Sequence, residues 1–137
     1  MVYIVAGATG VVGTAISKEL AFENDVIIIG RDEEKLSALS KEIDAEYSVI
    51  DLNNTVEQRE FSKIVPEDRE IKGLVNCIGS ILIKPLHGTK IEEFEEVIKV
   101  NSEFLYEYNS ISKFPSEWLK SIPMLSFIPA LSIRENW

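Results

Sequence analysis

The hydrophobic pattern of the chain alternates between short, unbroken apolar runs and longer stretches of helical spacing. Val2 to Ala6 is a compact apolar run suited to a strand buried on both faces. Val12, Ala15, Ile16 and Leu20 then recur at helical spacing and predict a first helix to about Phe22. Asn24 and Asp25 turn the chain into Val26-Ile27-Ile28-Ile29, a second, β-branched strand. Asp32 is placed to cap a helix that turns Leu36, Leu39 and Ile43 inward. Glu46 to Ile50 predicts a third strand, Val56 to Ile64 a short helix closed by Pro66, and Ile71 to Ile78 a fourth strand. Thr89-Lys90-Ile91-Glu92 has the spacing of a capping box and opens the longest helix. One face of that helix carries Ile91, Phe94, Val97, Ile98, Phe104, Leu105, Tyr108 and Ile111. Asn101 falls on the same face, where a buried amide must find partners or cost about 1–3 kcal/mol.

This alternation predicts an α/β fold, a Rossmann-like doubly wound parallel sheet of about four strands with helices on both faces. The character of the chain changes at Pro115. All seven glycines lie before residue 89, whereas three of the five prolines and both tryptophans lie from Pro115 onward. A nucleotide-binding-type domain is therefore expected over 1–114 and a divergent tail over 115–137. Ile122 to Ile133 is the candidate for a fifth strand, but Pro123 and Pro129 interrupt it, and proline cannot donate to a central ladder.

Composition narrows the class of function. With 137 residues, 45% hydrophobic and 27% charged, the chain has the make-up of one ordinary globular domain. No apolar run approaches the about 18 residues of a membrane span, and the N-terminus lacks the marks of a signal peptide. Cys77 is the single cysteine, which excludes an internal disulfide and suits a reducing cytoplasm. A net charge of −9 opposes nucleic acid or an anionic membrane as partner. No Cys/His cluster is present to bind zinc, and none of the residues is expected to hold a metal.

The candidate chemistry begins at Val2–Ile16, where a strand runs into Gly7, Gly10 and Gly13 and a helix follows at once. Such glycines let backbone approach a pyrophosphate, whose charge then rests at the helix N-terminus. The same glycines would also serve a tight strand–helix turn that meets no ligand. A dinucleotide is itself anionic, so an acidic chain must supply local N–H groups and a cation, for which the glycine loop and Arg31 are the candidates.

Over roughly positions 1 to 101 these residues resemble the short-chain dehydrogenase/reductase family. G-A-T-G-V-V-G is similar to its glycine loop, with Gly7 and Gly13 at the outer positions. Val11 stands where one branch has its middle glycine, and Gly10 gives instead the GxxGxxG spacing of extended and atypical members. G-R-D-E-E-K-L resembles the segment that meets the adenosine ribose, and Asp51-Leu52 the aspartate-apolar pair beside the adenine. Leu74-Val75-Asn76-Cys77-Ile78-Gly79 resembles the family's L-V-N-N-A-G, departing at Cys77 and Ile78. I-E-E-F-E-E-V-I-K-V-N is similar to the helix that ends in the family's asparagine, here Asn101.

The resemblance implies a bound dinucleotide, NADP or alternatively NAD, with Gly7, Thr9, Gly10, Val11, Val12 and Gly13 around the pyrophosphate. Arg31, about 20 residues past the glycines, would accommodate the 2′-phosphate of NADP; its alternative is a solvated surface arginine. Asp51 would bond the adenine amine beside Leu52, or else serve as a strand-end turn residue. Asn76 and Gly79 would shape the cofactor loop. Asn101 would hold a water that passes protons toward a catalytic lysine, or else satisfy backbone groups within its helix. Cys77 reads as a small buried hydrophobe, His87 as a solvated loop residue, and Glu92, Glu93, Glu95 and Glu96 as a charged helix face.

The family transfers hydride between nicotinamide and a carbonyl or alcohol, using a tyrosine whose pKa is lowered by a lysine four residues on, and a serine. No tyrosine-x-x-x-lysine occurs in this sequence; Tyr108 and Lys113 are five apart. A free tyrosine titrates near about 10 and is a poor acid–base group at neutrality. Ser126 and Ser132 lie near the expected serine position. A full member runs to roughly 250 residues, so a truncated or frameshifted reading after Asn101 is expected. Such a chain would leave the fourth strand an open edge unless the tail covers it. It would also leave an apolar stripe on the 91–113 helix that invites self-association. Three functions follow: a short-chain oxidoreductase whose catalytic half is absent, a non-catalytic dinucleotide-sensing or subunit module, or a degenerate fragment.

Overall fold

The computed structural model describes residues 2–64, 69–110 and 125–126. In chain order the elements are β1 (Val2–Ala6), α1 (Val11–Ala21), β2 (Asp25–Gly30), α2 (Glu33–Ile43), β3 (Glu46–Val49), α3 (Thr55–Ile64), β4 (Ile71–Asn76), α4 (Ile91–Ser110) and β5 (Leu125–Ser126), with one 3₁₀ turn at Leu86–Gly88. The sheet order is β3-β2-β1-β4-β5, and every pair is parallel. The expectations for Ile111, Ser132 and the rest of the tail, and for the side chains of Phe104, Leu105 and Tyr108, lie outside the described residues.

Two apolar clusters, one on each face of the sheet, follow from the two-residue period of the strands. Val2, Ile4, Ala6, Ile27, Ile29 and Leu74 pack with Ile50, Leu52 and Phe61. Val5, Val26 and Ile28 join Leu36 and Leu39 of α2, with Leu20 and Ile43 against them. Because β1 and β2 are apolar on both faces, neither can leave the centre of the sheet without exposing a full row of side chains. Phe61, fully buried in α3, anchors its face; truncating such a side chain costs about 3–5 kcal/mol. Between the central strands, the Tyr3 ring lies over Gly73 of β4, and a Cβ at Gly73 would come within 2.8 Å of the ring. Lys72 Nζ sits 5.5 Å from the centroid of the same ring.

Two details differ from the sequence expectation, and a third that it left open is decided. In α1 the buried positions are Gly13 and Ser17, while Val12 is 41% exposed and Ala15 faces solvent. A Cβ at Gly13 would lie 2.2 Å from the carbonyl oxygen of Gly7, so this glycine is the contact that rotates the helix. At α4 the capping box is shifted by one residue: Thr89 Oγ1 donates to the carbonyl of Pro85, and it is the Lys90 N–H that donates to Glu93 Oε2, at 2.9 Å. A fifth strand does form, as a two-residue pairing of Val75 with Leu125 and Asn76 with Ser126. It occupies the short space between Pro123 and Pro129 and partners the end of β4 only.

On α4, Val97 and Asn101 are buried, whereas Ile91, Phe94 and Ile98 are exposed. Asp32 caps α2 as expected, accepting from the Lys35 N–H at 3.1 Å. No described helix is long and apolar enough to cross a membrane.

Candidate functional site

A cleft of about 400 Å³ opens at the carboxyl ends of β1 to β4, the edge at which open parallel sheets receive ligands. Its floor is the loop between β1 and α1. The N–H groups of Gly7 and Ala8 both donate to the carbonyl of Ile29, at 2.9 and 3.1 Å, and Thr14 Oγ1 donates to the carbonyl of Ala8 at 2.9 Å. Gly7 has φ of +76°, and a Cβ there would lie 2.8 Å from the carbonyl carbon of Cys77. Only glycine lets this turn pass so close to the end of β4. Gly10, by contrast, caps α1 with extended backbone and meets nothing nearer than the Gly7 carbonyl at 3.5 Å. The protein's own packing therefore does not require glycine at position 10, and the open space lies over the first N–H groups of α1, which have no intrahelical partner.

Seven of the predicted site residues line the cleft: Gly7, Thr9, Gly10, Arg31, Asp51, Leu52 and Gly79. Gly13 lies beneath it, buried against the loop. Val11 is 91% exposed and Val12 half-exposed, both outside the lining. Asn76 is buried behind the wall, where its Oδ1 accepts from the Ile78 N–H at 3.0 Å and shapes the turn that carries Cys77 to Ser80. Asn101 is also behind the wall. Its Oδ1 accepts from the Ser80 N–H at 3.2 Å, and its Nδ2 donates to the carbonyls of Ser80 and Val97 at 2.9 and 2.7 Å. One of these bonds stays within α4, and the other two tie the helix to the turn after β4.

Arg31 is exposed at the mouth, the only cationic side chain among the described residues that line the cleft. Asp51 lines the cleft at the end of the adjacent strand, β3. Its Oδ1 accepts from the Asn53 N–H at 3.0 Å, and its own N–H donates to Glu57 Oε2 at 2.8 Å, so the end of β3 is tied to the start of α3. Cys77 is half-buried in the wall, and burial pushes its thiol pKa up, away from a reactive thiolate. His87 is exposed and lies outside the lining. Among the described residues no group of three His, Cys, Asp or Glu side chains is placed to hold a metal.

Sequence reasoning missed Gly30, Ile50, Asn53 and Ser80, which adjoin predicted residues at the strand ends, and Glu96 and Val100, which reach the cleft through tertiary contact. A glycine cradle, a helix N-terminus and a lone guanidinium suit an elongated anion. The two carboxylates of Asp51 and Glu96 limit where its charge can lie.

The sheet order and a glycine-floored cleft define a Rossmann-type α/β unit. Residues 1–107 match the short chain dehydrogenase family, and the chain belongs to that family. Among curated relatives, a 3-oxoacyl-(acyl-carrier-protein) reductase of Rickettsia bellii is 32% identical over 115 residues, covering 80% of this chain and 46% of that protein. The inactive hydroxysteroid dehydrogenase-like protein 1 of Homo sapiens is 33% identical over 107 residues, covering 72% and 32%. Among solved structures, the closed form of a serine dehydrogenase complexed with NADP+ superposes with a TM-score of 0.72 at 27% identity, covering 82% of this chain and 48% of that one. The chain thus spans less than half the length of each of these relatives.

Proposed function

We propose that this chain binds NADP(H) in the cleft as the adenosine-side portion of a short-chain dehydrogenase site. The observation that carries the reading is the convergence of the glycine loop, Arg31 and Asp51 on one cleft. Gly7, Thr9 and Gly10 would bear the pyrophosphate, with the α1 N-terminus supplying N–H groups to its oxygens. Arg31 would meet the 2′-phosphate, Asp51 and Leu52 would flank the adenine, and Asn76 and Gly79 would hold the loop beneath the ligand. NAD is the alternative ligand, and Arg31 favours NADP over it.

The bound cofactor supplies a hydride at its nicotinamide. The residues that would move the accompanying proton are a separate matter, because tyrosine-x-x-x-lysine is absent from this sequence. The cofactor binding of a reductase without its turnover is the reading that fits the polypeptide as it stands. The inactive relative favours a non-catalytic, dinucleotide-sensing or subunit role as the second reading. A single cysteine supports a cytoplasmic setting, and the exposed Ile91 and Phe94 of α4 support self-association through that helix.

Titrating NADPH into the purified chain, with a panel of carbonyl substrates followed at the nicotinamide absorbance, tests both readings. Micromolar binding without oxidation of NADPH supports the module. Turnover restores the enzyme, and no binding removes the proposal.

A further inference from the structure

β3 ends at Val49, and the Ile50 N–H still bonds toward β2, donating to the Gly30 carbonyl at 2.8 Å. Asp51, Leu52 and Asn53 then turn along the cleft wall. The turn closes on itself: the Asn54 N–H donates to the Asp51 carbonyl at 2.9 Å, and the Asn53 N–H to Asp51 Oδ1 at 3.0 Å. Such internal bonds set the shape of a turn and leave its tilt against the sheet to outside anchors. Leu52 is one anchor, buried with Phe61. The carboxylate of Glu57, in the first turn of α3, is another. Its Oε2 accepts from the Asp51 N–H at 2.8 Å and its Oε1 from Asn54 Nδ2 at 3.1 Å, so one side chain holds both ends of the turn. Glu57 itself lies outside the cleft lining. A carboxylate that accepts from a backbone N–H makes a bond about twice as strong as a neutral pair.

We propose that Glu57 is a positioning residue: by holding the Asp51 N–H it aims the Asp51 carboxylate into the cleft, and so sets the preference for a ligand base that bears an amino group. This rests on the dinucleotide reading and adds to it a residue that touches no ligand. One oxygen of Asp51 is occupied by the Asn53 N–H, which ties the carboxylate to its own turn. The direction of the carboxylate therefore follows the backbone of residue 51, and that backbone is what Glu57 grips. A shift of about 1 Å takes a hydrogen bond from its best length to beyond its useful range. Arg31, on the loop after β2, stands outside this network, so selection for the base and selection for the 2′-phosphate can be moved separately.

Calorimetric titration of three ligands into wild type, Glu57→Ala, Glu57→Gln and Asn54→Ala tests this. The ligands are NADPH, NADH, and reduced nicotinamide hypoxanthine dinucleotide phosphate, in which an oxo group replaces the adenine amine. Wild type should bind NADPH about tenfold more tightly than the hypoxanthine analogue, the worth of one charge-assisted hydrogen bond. Glu57→Ala should lower that ratio to about threefold or less, while its preference for NADPH over NADH stays within about twofold of wild type. Glu57→Gln, whose remaining oxygen can still accept from the Asp51 N–H, should keep most of the base preference. Asn54→Ala removes the bond from Asn54 Oδ1 to the Val56 N–H, which caps α3, and leaves the grip on Asp51. It should melt earlier and keep the base preference. An unchanged base preference in Glu57→Ala overturns the positioning role and leaves Glu57 as a helix cap. Equal losses in Glu57→Gln or in Asn54→Ala also overturn it, as does a parallel fall of both preferences, which marks a disturbed cleft. Equal binding of both bases by wild type overturns the Asp51 contact and the role of Glu57 with it, while the dinucleotide reading stands. Failure of wild type to bind any of the three overturns the dinucleotide reading itself.

Discussion

Asn101 grips Ser80 by both its N–H and its carbonyl, so a side chain of α4 takes the place of a neighbouring strand for the residue that ends the β4 turn. The third bond, Nδ2 to the Val97 carbonyl at 2.7 Å, holds the carboxamide in plane with its own helix. Asn101→Ala leaves the Ser80 groups without these partners in a part-buried place and should destabilise the chain by about 2–3 kcal/mol. Asn101→Asp should cost at least as much, because a carboxylate cannot donate to either carbonyl. Urea denaturation of the three proteins checks this, and a change under about 0.5 kcal/mol in both variants would contradict it.

Two glycines, one capping α1 and one in its first turn, separate folding from ligand binding. Gly13→Ala forces a Cβ to within 2.2 Å of a backbone oxygen and should cost several kcal/mol or prevent folding. Gly10→Ala meets only the ordinary contact at 3.5 Å, so its melting temperature should stay close to wild type while NADPH binding weakens. Equal effects of the two substitutions on melting would show that the space over α1 is needed by the fold.

Arg31→Ala should weaken NADPH by about tenfold and NADH by less than about twofold, as loss of one charge-assisted contact to a 2′-phosphate predicts. Side-by-side titrations measure the difference. Equal losses for the two cofactors would remove Arg31 from the 2′-phosphate.

Acid should weaken two capping contacts. The Lys35 N–H, first, and the Lys35 ammonium hold Asp32 below the usual carboxylate range. The Lys84 ammonium, first, and the Lys90 N–H do the same for Glu93. Folded-state pKa values below the unfolded ones mean that the stabilisation is full above about pH 4.3 and is lost as pH falls through the lower folded values. Urea midpoints from pH 6 down to 3 should therefore decline less steeply in Glu93→Gln than in wild type. Parallel declines would show that the tie between Lys84 and α4 contributes nothing.

The exposed Ile91 and Phe94 predict concentration-dependent association. Sedimentation should show a heavier species at high concentration that Phe94→Glu abolishes. A monomer at all concentrations would assign the stripe another role.

Most of the fold was legible because β1 and β2 are short apolar runs, whose length and flanking turns mark buried strands. What was not legible depended on contacts distant in sequence. The rotation of α1 that turns Val12 and Ala15 outward is set by Gly13 meeting Gly7, which no periodicity records. The one-residue shift of the α4 cap arises because Pro85 takes the Thr89 hydroxyl. In the cleft, the glycine loop, Arg31 and Asp51 stood out as local patterns at strand ends. Glu96 and Val100 had no such signal, because the packing of α4 beside the β4 turn is what brings them to the wall.

Tyr3 and Gly73 carry a consequence for sequence divergence. The ring occupies the volume in which any side chain at position 73 would stand, with a Cβ only 2.8 Å from it. Neither position can drift alone: a larger residue at 73 demands a smaller one at 3, and loss of the ring opens a void that a side chain at 73 would refill. Among diverged copies of this domain the two sites should change together, an aromatic residue facing glycine or two medium-sized residues facing each other. That coupled pair would identify the β1–β4 register in chains where the glycine loop has been lost.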